Sequence, residues 1–185
     1  MLRNALLPYE SMVAGLMVQR LFTGGVMCGF RACAVDGTLP PVDEEYSVGM
    51  EGVFLFRGQS FPHVLEKAIS TAFANCQKEH CKMILLDEIG GLELLSNAFM
   101  TPLQKILALD KPCAGILKSR DNLAHTAERL SLPPHVLTLR DDLQKQLESN
   151  GTVATMNHEN RKEIERSVIR FVEDSLESLK TSLCK

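Results

Sequence analysis

Met83-Ile84-Leu85-Leu86 is an apolar run without polar alternation, and it ends on two adjacent carboxylates, Asp87 and Glu88. Ile89 and the pair Gly90-Gly91 follow. A run of this kind predicts a parallel strand buried on both faces, which only a sheet covered by helices provides. The two acids then emerge at the C-terminal end of the strand, where open α/β sheets place their ligands. The simpler alternative is a strand end with two solvated acids before a turn.

The flanking sequence supplies the helices and further strands. Met1–Leu7 reads as a short helical piece stopped by Pro8. Val13–Leu21 and Val26–Val35 read as extended, joined by Phe22-Thr23-Gly24-Gly25, which predicts a β-hairpin. Tyr46–Gly52 is expected to be loop and Val53–Phe56 a short strand. Val64, Leu65, Ala68, Ile69, Ala72, Phe73 and Cys76 recur at helical spacing within Phe61–His80. Ser96–Leu109 predicts a second helix, with Phe99, Leu103, Ile106 and Leu107 inward. Cys113–Leu117 is a short apolar strand carrying Lys118, Ser119 and Arg120 at its end. A helix Asn122–Leu130, a strand Val136–Leu139, a helix Asp141–Glu148 and a last strand Thr152–Met156 complete the alternation. The tail, Glu159 to about Leu183, is amphipathic, with Ile164, Val168, Phe171, Val172, Leu176 and Leu179 as the stripe expected to pack on the sheet. No linker or repeat divides the chain, so residues 1–185 are expected to form one α/β domain.

Composition narrows the function classes. With a net charge of −3, no Trp and few aromatics, neither a phosphate-backbone binder nor a base-stacking surface is expected. No apolar run approaches a membrane span, and the N-terminal stretch is cut by Pro8, Tyr9 and Glu10 before it can act as a signal peptide. A cytoplasmic protein with reduced thiols is the expectation. Cys28/Cys33 and Cys76/Cys81 each enclose four residues, a zinc-like spacing, but their placement suits small buried hydrophobes better. The five histidines show no ligand spacing.

Leu86-Asp87-Glu88-Ile89-Gly90-Gly91-Leu92-Glu93-Leu94-Leu95-Ser96, with Phe99 after it, resembles the acidic motif of the small nucleoside-triphosphatase family of thermophile and cancer-related type, within the P-loop NTPase superfamily. Thr155-Met156-Asn157-His158-Glu159-Asn160-Arg161 is similar to the family's strand, Glu-Asn-Arg and final helix. Gly15, Arg20 and Gly29-Phe30 resemble its Gly-rich hairpin, with Leu16 in place of a Phe and Met27 where an Arg is common. The resemblance covers nearly the whole chain, though only the first motif is specific. It implies a three-layer, P-loop-NTPase-like, largely parallel sheet with a β-hairpin near the N-terminus. It also implies Mg²⁺-dependent hydrolysis of a nucleoside triphosphate, ATP or GTP, to the diphosphate. By that likeness Asp87, in the Walker B position, would engage the metal and Glu88 would activate water. Glu93 would line or support the site. Lys118, Arg120 and Arg161 are candidates to meet the nucleotide, against plainer roles as solvated or locally paired cations.

The Walker A cradle G-x-x-x-x-G-K-[ST] is not found in these residues. Met1–Leu7 resembles the helix that follows that cradle in the family. The expectation is that the first strand and cradle are lost or lie upstream, leaving hydrolysis weak or absent. An open sheet edge would then invite a homodimer. The alternative is a non-enzymatic interaction module on a degenerate NTPase scaffold. A third is an unrelated metal-dependent hydrolase using Asp87, Glu88 and Glu93.

Overall fold

Gly24 and Gly25, at φ 58° and 79°, supply the left-handed turn that lets β1 (Val13–Thr23) fold back on β2 (Val26–Asp36). This antiparallel hairpin is the long axis of the sheet. The computed structural model describes the backbone of residues 1–183 and the side chains of residues 1–177. β3 is Asp43–Glu45, β4 Val53–Phe56, β5 Gln59–Ser60, β6 Met83–Ile89 and β7 Cys113–Leu117. The strand order is β5-β4-β2-β1-β6-β7, with β3 also beside β1. Parallel joins link β1 to β6, β6 to β7 and β1 to β3. Antiparallel joins link β1 to β2, β2 to β4 and β4 to β5. The α/β class and the N-terminal hairpin expected from the sequence are both present, in a mixed sheet.

The helices are α1 (Leu2–Leu6), α2 (Pro62–Cys76), α3 (Asn97–Leu107), α4 (Arg120–Leu130), α5 (His135–Asn150) and α6 (Arg161–Leu183). They cover both faces, and β6 alternates between them. Met83 and Leu85 pack with Leu2 and Leu6 of α1 and Val172 and Leu176 of α6. Ile84 and Leu86 pack with Leu65 and Ile69 of α2 and Phe99 and Leu103 of α3. Each such buried side chain stabilises the fold by roughly 1.5–3 kcal/mol relative to exposure. Of the expected α6 stripe, Val168, Val172 and Leu176 pack in the core with Met83 and Leu85, whereas Phe171 is exposed; the side chain of Leu179 and all of Cys184 lie outside the described residues. No helix among the described residues is long and apolar enough to cross a membrane.

Two expected strands do not form. Val136–Leu139 belongs to α5, because Val136, Leu139, Leu143 and Leu147 continue at helical spacing; Val136 is buried, and Leu139, Leu143 and Leu147 turn toward the α2–α3 core. Thr152–Met156 has no regular structure. Its Thr155 carbonyl accepts from Asn160 Nδ2 at 2.9 Å, within a turn. β7 has β6 as its strand partner and, among the described residues, no strand on its other side.

β1 and β6 approach unusually closely at Gly15, which lies opposite Leu85 at φ 142°. A Cβ there would stand 2.0 Å from the Leu85 carbonyl oxygen. Gly15→Ala is expected to destabilise the fold by about 3 kcal/mol or more, combining overpacking with backbone strain. Gly24→Ala, whose Cβ would meet open space, should lose only about 1–2 kcal/mol from its left-handed backbone. Urea denaturation of the two variants tests the contrast; equal losses would contradict it.

Candidate functional site at the end of β6

Alternation along a strand places Asp87 on the same face as Met83 and Leu85, and Glu88 on the opposite face. The structure breaks that rule at one point. Between Leu86 and Ile89, β6 advances three residues while β7 advances two, from Gly115 to Leu117. This is a β-bulge, and bulges re-aim side chains. Glu88 takes φ 54°, a left-handed conformation rare for a residue with a Cβ. Asp87 and Glu88 both border one cleft of about 190 Å³. Its other walls include Met1 and Arg3 at α1, Met17 and Arg20 of β1, and Ile116 of β7.

Asp87 also closes a gap in the sheet. The edge of β1 pairs with β6 through Leu16 and with β3 from Arg20 onward. Between these stretches, the Val18 N–H donates to Asp87 Oδ2 at 3.4 Å. Burial pushes the Asp87 carboxyl up to about 6, the Glu88 charge adds to the rise, and the Val18 N–H opposes it.

The cleft's cations were not singled out as site residues from the sequence. Arg20 holds Asp43 through both oxygens, at 2.7 and 3.0 Å. Arg3 donates to the Pro40 and Leu39 carbonyls at 2.6 and 3.3 Å. The nearest signal was the placing of Arg20 within the hairpin motif; Arg3 gave none.

The remaining expected site residues stand outside the cleft lining. Glu93 turns back on the chain and accepts from the Gly91 N–H at 2.7 Å. Burial raises its pKa, and the backbone N–H groups of Gly91, Glu93 and Gly90 oppose the rise. Glu93 thus knits the turn that follows the acids and borders a separate, largely apolar pocket with Leu65, Ser96 and Phe99. The charge of Lys118 bears on Glu93, and its carbonyl accepts from Arg140 Nε at 2.9 Å. Arg120 is paired with Asp141 at 3.1 Å. Arg161 is exposed at the start of α6.

Asp87 and Glu88 offer hard oxygen donors of the kind Mg²⁺ takes. Among the described residues, no three His, Cys, Asp or Glu side chains group as a metal site. Two carboxylates suit a Mg²⁺ that completes its shell with water and phosphate oxygens, not a closed protein cage.

Because the folded state raises the Asp87 pKa, it binds that proton more tightly than the unfolded chain does. The stability linked to this proton is full below about pH 4 and is lost as pH rises through about 6. Asp87→Asn keeps an oxygen for Val18 and removes the charge. It should be more stable than the unsubstituted chain by about 1–3 kcal/mol near pH 7.5, narrowing to about 1 kcal/mol or less near pH 4.5. Thermal or urea unfolding in a chelator measures this; a variant less stable near pH 7.5 would contradict the assignment.

Comparison with known proteins agrees with the motif. The nucleoside-triphosphatase THEP1 of Pyrococcus abyssi is 33% identical over 104 residues, covering 54% of this chain and 54% of that protein. The nucleoside-triphosphatase THEP1 of Methanosarcina acetivorans is 34% identical over 73 residues, covering 36% of this chain and 40% of that protein. The matched stretches thus span about half, or less, of these curated relatives. No solved structure matches. A family model described as NTPase matches residues 2–169, most of the length, and the chain therefore belongs to the NTPase family.

Proposed function

We propose that the bulged end of β6 receives the polyphosphate of a nucleoside triphosphate, ATP or GTP, together with Mg²⁺, and supports hydrolysis to diphosphate and phosphate. The observation that carries this reading is the presence of both Asp87 and Glu88 in the lining of one cleft, together with Arg3 and Arg20. The relatives' printed name, nucleoside-triphosphatase, supports it. A cleft of about 190 Å³ is smaller than the roughly 300–1,000 Å³ of whole-ligand pockets. It therefore suits the phosphate end, with the base and sugar outside.

Mg²⁺, when bound, would neutralise phosphate charge. Asp87 is the residue to hold it, and Glu88 the group to orient water and take its proton. Glu93 supports the site by fixing the Gly90–Gly91 turn. Lys118 and Arg120 follow β7, whose Ile116 lines the cleft, and are assigned to the outer phosphate or sugar; Arg161 has a peripheral role. A Gly-Lys-Ser/Thr segment running into α1 would bring its backbone N–H groups to this same cleft. The 185 residues contain no such motif, so the chain as given hydrolyses weakly. That same fact favours a second reading, an interaction module that kept the scaffold without the chemistry.

The open side of β7 is proposed as a homodimer edge, with no nucleic acid or membrane partner and a cytoplasmic location. Light scattering should find a dimer that Ile116→Lys, on the exposed part of β7, reduces to monomer. A monomer throughout would remove this part of the proposal.

For the site itself, calorimetry should record heat with Mg-ATP or Mg-GTP. Phosphate release should fall about 10²–10⁴-fold in Glu88→Gln, the range expected on removing a positioned base. Binding heat without release would favour the interaction module. Release unchanged in Glu88→Gln would overturn the assigned role.

A further inference from the structure

Both arginines that line the acidic cleft are engaged by the segment Leu39–Asp43, but in different ways. Arg3 donates to the Leu39 and Pro40 carbonyls, which carry no charge to cancel its own. Arg20 instead meets a carboxylate: its Nε and Nη2 donate to the two oxygens of Asp43 at 2.7 and 3.0 Å. Arg20 belongs to the cleft lining and Asp43 does not. The two side chains are 49% and 51% exposed, so they can part without any opening of the core. β3 has other ties to the hairpin. The Arg20 N–H donates to the Val42 carbonyl at 2.9 Å, and the Tyr46 N–H to the Phe22 carbonyl at 2.7 Å. Gln19 Nε2 donates to the Pro41 carbonyl at 2.6 Å, and Arg31 pairs with Glu44 at 3.0 Å. The Arg20–Asp43 pair is therefore a two-pronged, solvent-accessible contact at the rim of the cleft, on a strand that is held in place without it.

We propose that Arg20 is a polyphosphate-binding residue held in reserve by Asp43, and that a phosphate entering the cleft takes the place of the Asp43 carboxylate on the Arg20 guanidinium. This role rests on the cleft receiving a polyphosphate, and it names the side chain that grips the chain of phosphates and the group that competes for that grip.

The guanidinium is planar and permanently charged, and its paired N–H groups match a phosphate as they match a carboxylate. Exchanging one pair of oxygens for another keeps the number of hydrogen bonds, so charge decides the balance. A polyphosphate carries more negative charge than a single carboxylate, and the half-exposed Asp43 returns to water when it lets go. While Asp43 holds Arg20, one of the two arginines in the lining is cancelled, and Asp87 and Glu88 repel an incoming phosphate. Once Arg20 turns to the ligand, the two arginines and the two acids of the lining offset one another. A half-exposed ion pair shifts an equilibrium only a few-fold, so Asp43 weakens phosphate binding without blocking it. The exchange moves side chains alone, because the backbone bonds at Val42 and Tyr46 keep β3 beside β1.

The test titrates the full chain with inorganic tripolyphosphate and Mg²⁺ at about 0.15 M salt, where charges acting from beyond about 8 Å are screened. Proton–nitrogen magnetic resonance follows the Arg20 Nε–Hε signal, identified by its loss in Arg20→Gln, and calorimetry gives the affinity. Tripolyphosphate is expected to shift the Arg20 Nε–Hε signal together with the Val18 and Glu88 amides. Asp43→Asn, which removes the competing charge, should bind about 2–5-fold more tightly, the size of a half-exposed ion pair. Arg20→Gln should bind about tenfold more weakly, and Asp43→Asn should give no gain in that background. An Arg20 signal that stays still while the Val18 and Glu88 amides move would overturn the role of Arg20 and leave the cleft standing as a polyphosphate site. So would an affinity unchanged or weakened by Asp43→Asn, or the same gain from it with Arg20 absent. Val18 and Glu88 amides that saturating tripolyphosphate does not move would overturn both.

Discussion

β6 carries one more residue than β7 between Leu86 and Ile89, and the position of both acids follows from that surplus. A regular strand would send Asp87 and Glu88 to opposite faces of the sheet. The bulge and the left-handed backbone at Glu88 bring them to one side. Holding a non-glycine residue there costs about 1–2 kcal/mol. Burying Asp87 beside a like charge adds a further cost at neutral pH. Such costs persist where the surroundings over-determine the geometry. Here they come together at the C-terminal tip of a parallel strand.

The surroundings that enforce this are the two cores. Alternate residues of β6 are gripped from opposite sides, Met83 and Leu85 by α1 and α6, Ile84 and Leu86 by α2 and α3. The close approach at Gly15 locks β6 to the hairpin just before the bulge. On the far side of the bulge, the Lys118 N–H donates to the Ile89 carbonyl at 2.8 Å, and Glu93 holds the following turn. β1 contributes in return: its edge would have an unmet N–H at Val18 but for Asp87. The acid is therefore part of the sheet's hydrogen bonding as well as a candidate ligand for a cation.

Much of this was legible in the sequence because the strongest signals are local. The run Met83–Leu86, the Gly24-Gly25 turn and the stripes of α2, α3 and α6 each follow from side-chain period alone. The strand expected at Val136–Leu139 has the same origin: those residues alone fit a short apolar strand, whereas Leu143 and Leu147 extend the pattern at helical spacing. Thr152–Met156 looks like a strand in composition, yet a strand exists only beside a partner. β3 gave no apolar signal, since Asp43–Glu45 is acidic throughout. Ion pairs from Arg20 and Arg31 to Asp43 and Glu44 accompany its place beside β1. The acids of the site were readable, but their shared direction was not. No pattern of residue types announces that Glu88 adopts a positive φ, and none links Arg3 to a cleft whose acids lie more than eighty positions away.

The most direct measurement of the shared cleft is nuclear magnetic resonance of the isotope-labelled chain with the nucleotide complex of Mn²⁺, a paramagnetic stand-in for Mg²⁺. If Asp87 and Glu88 face one cleft and jointly receive a metal–polyphosphate, amide signals of Val18, Asp87, Glu88, Arg3 and Ile116 broaden first. Those lining the apolar pocket at Leu65 and Phe99 should broaden less. Broadening centred on that pocket, or spread without preference over the surface, would contradict the account.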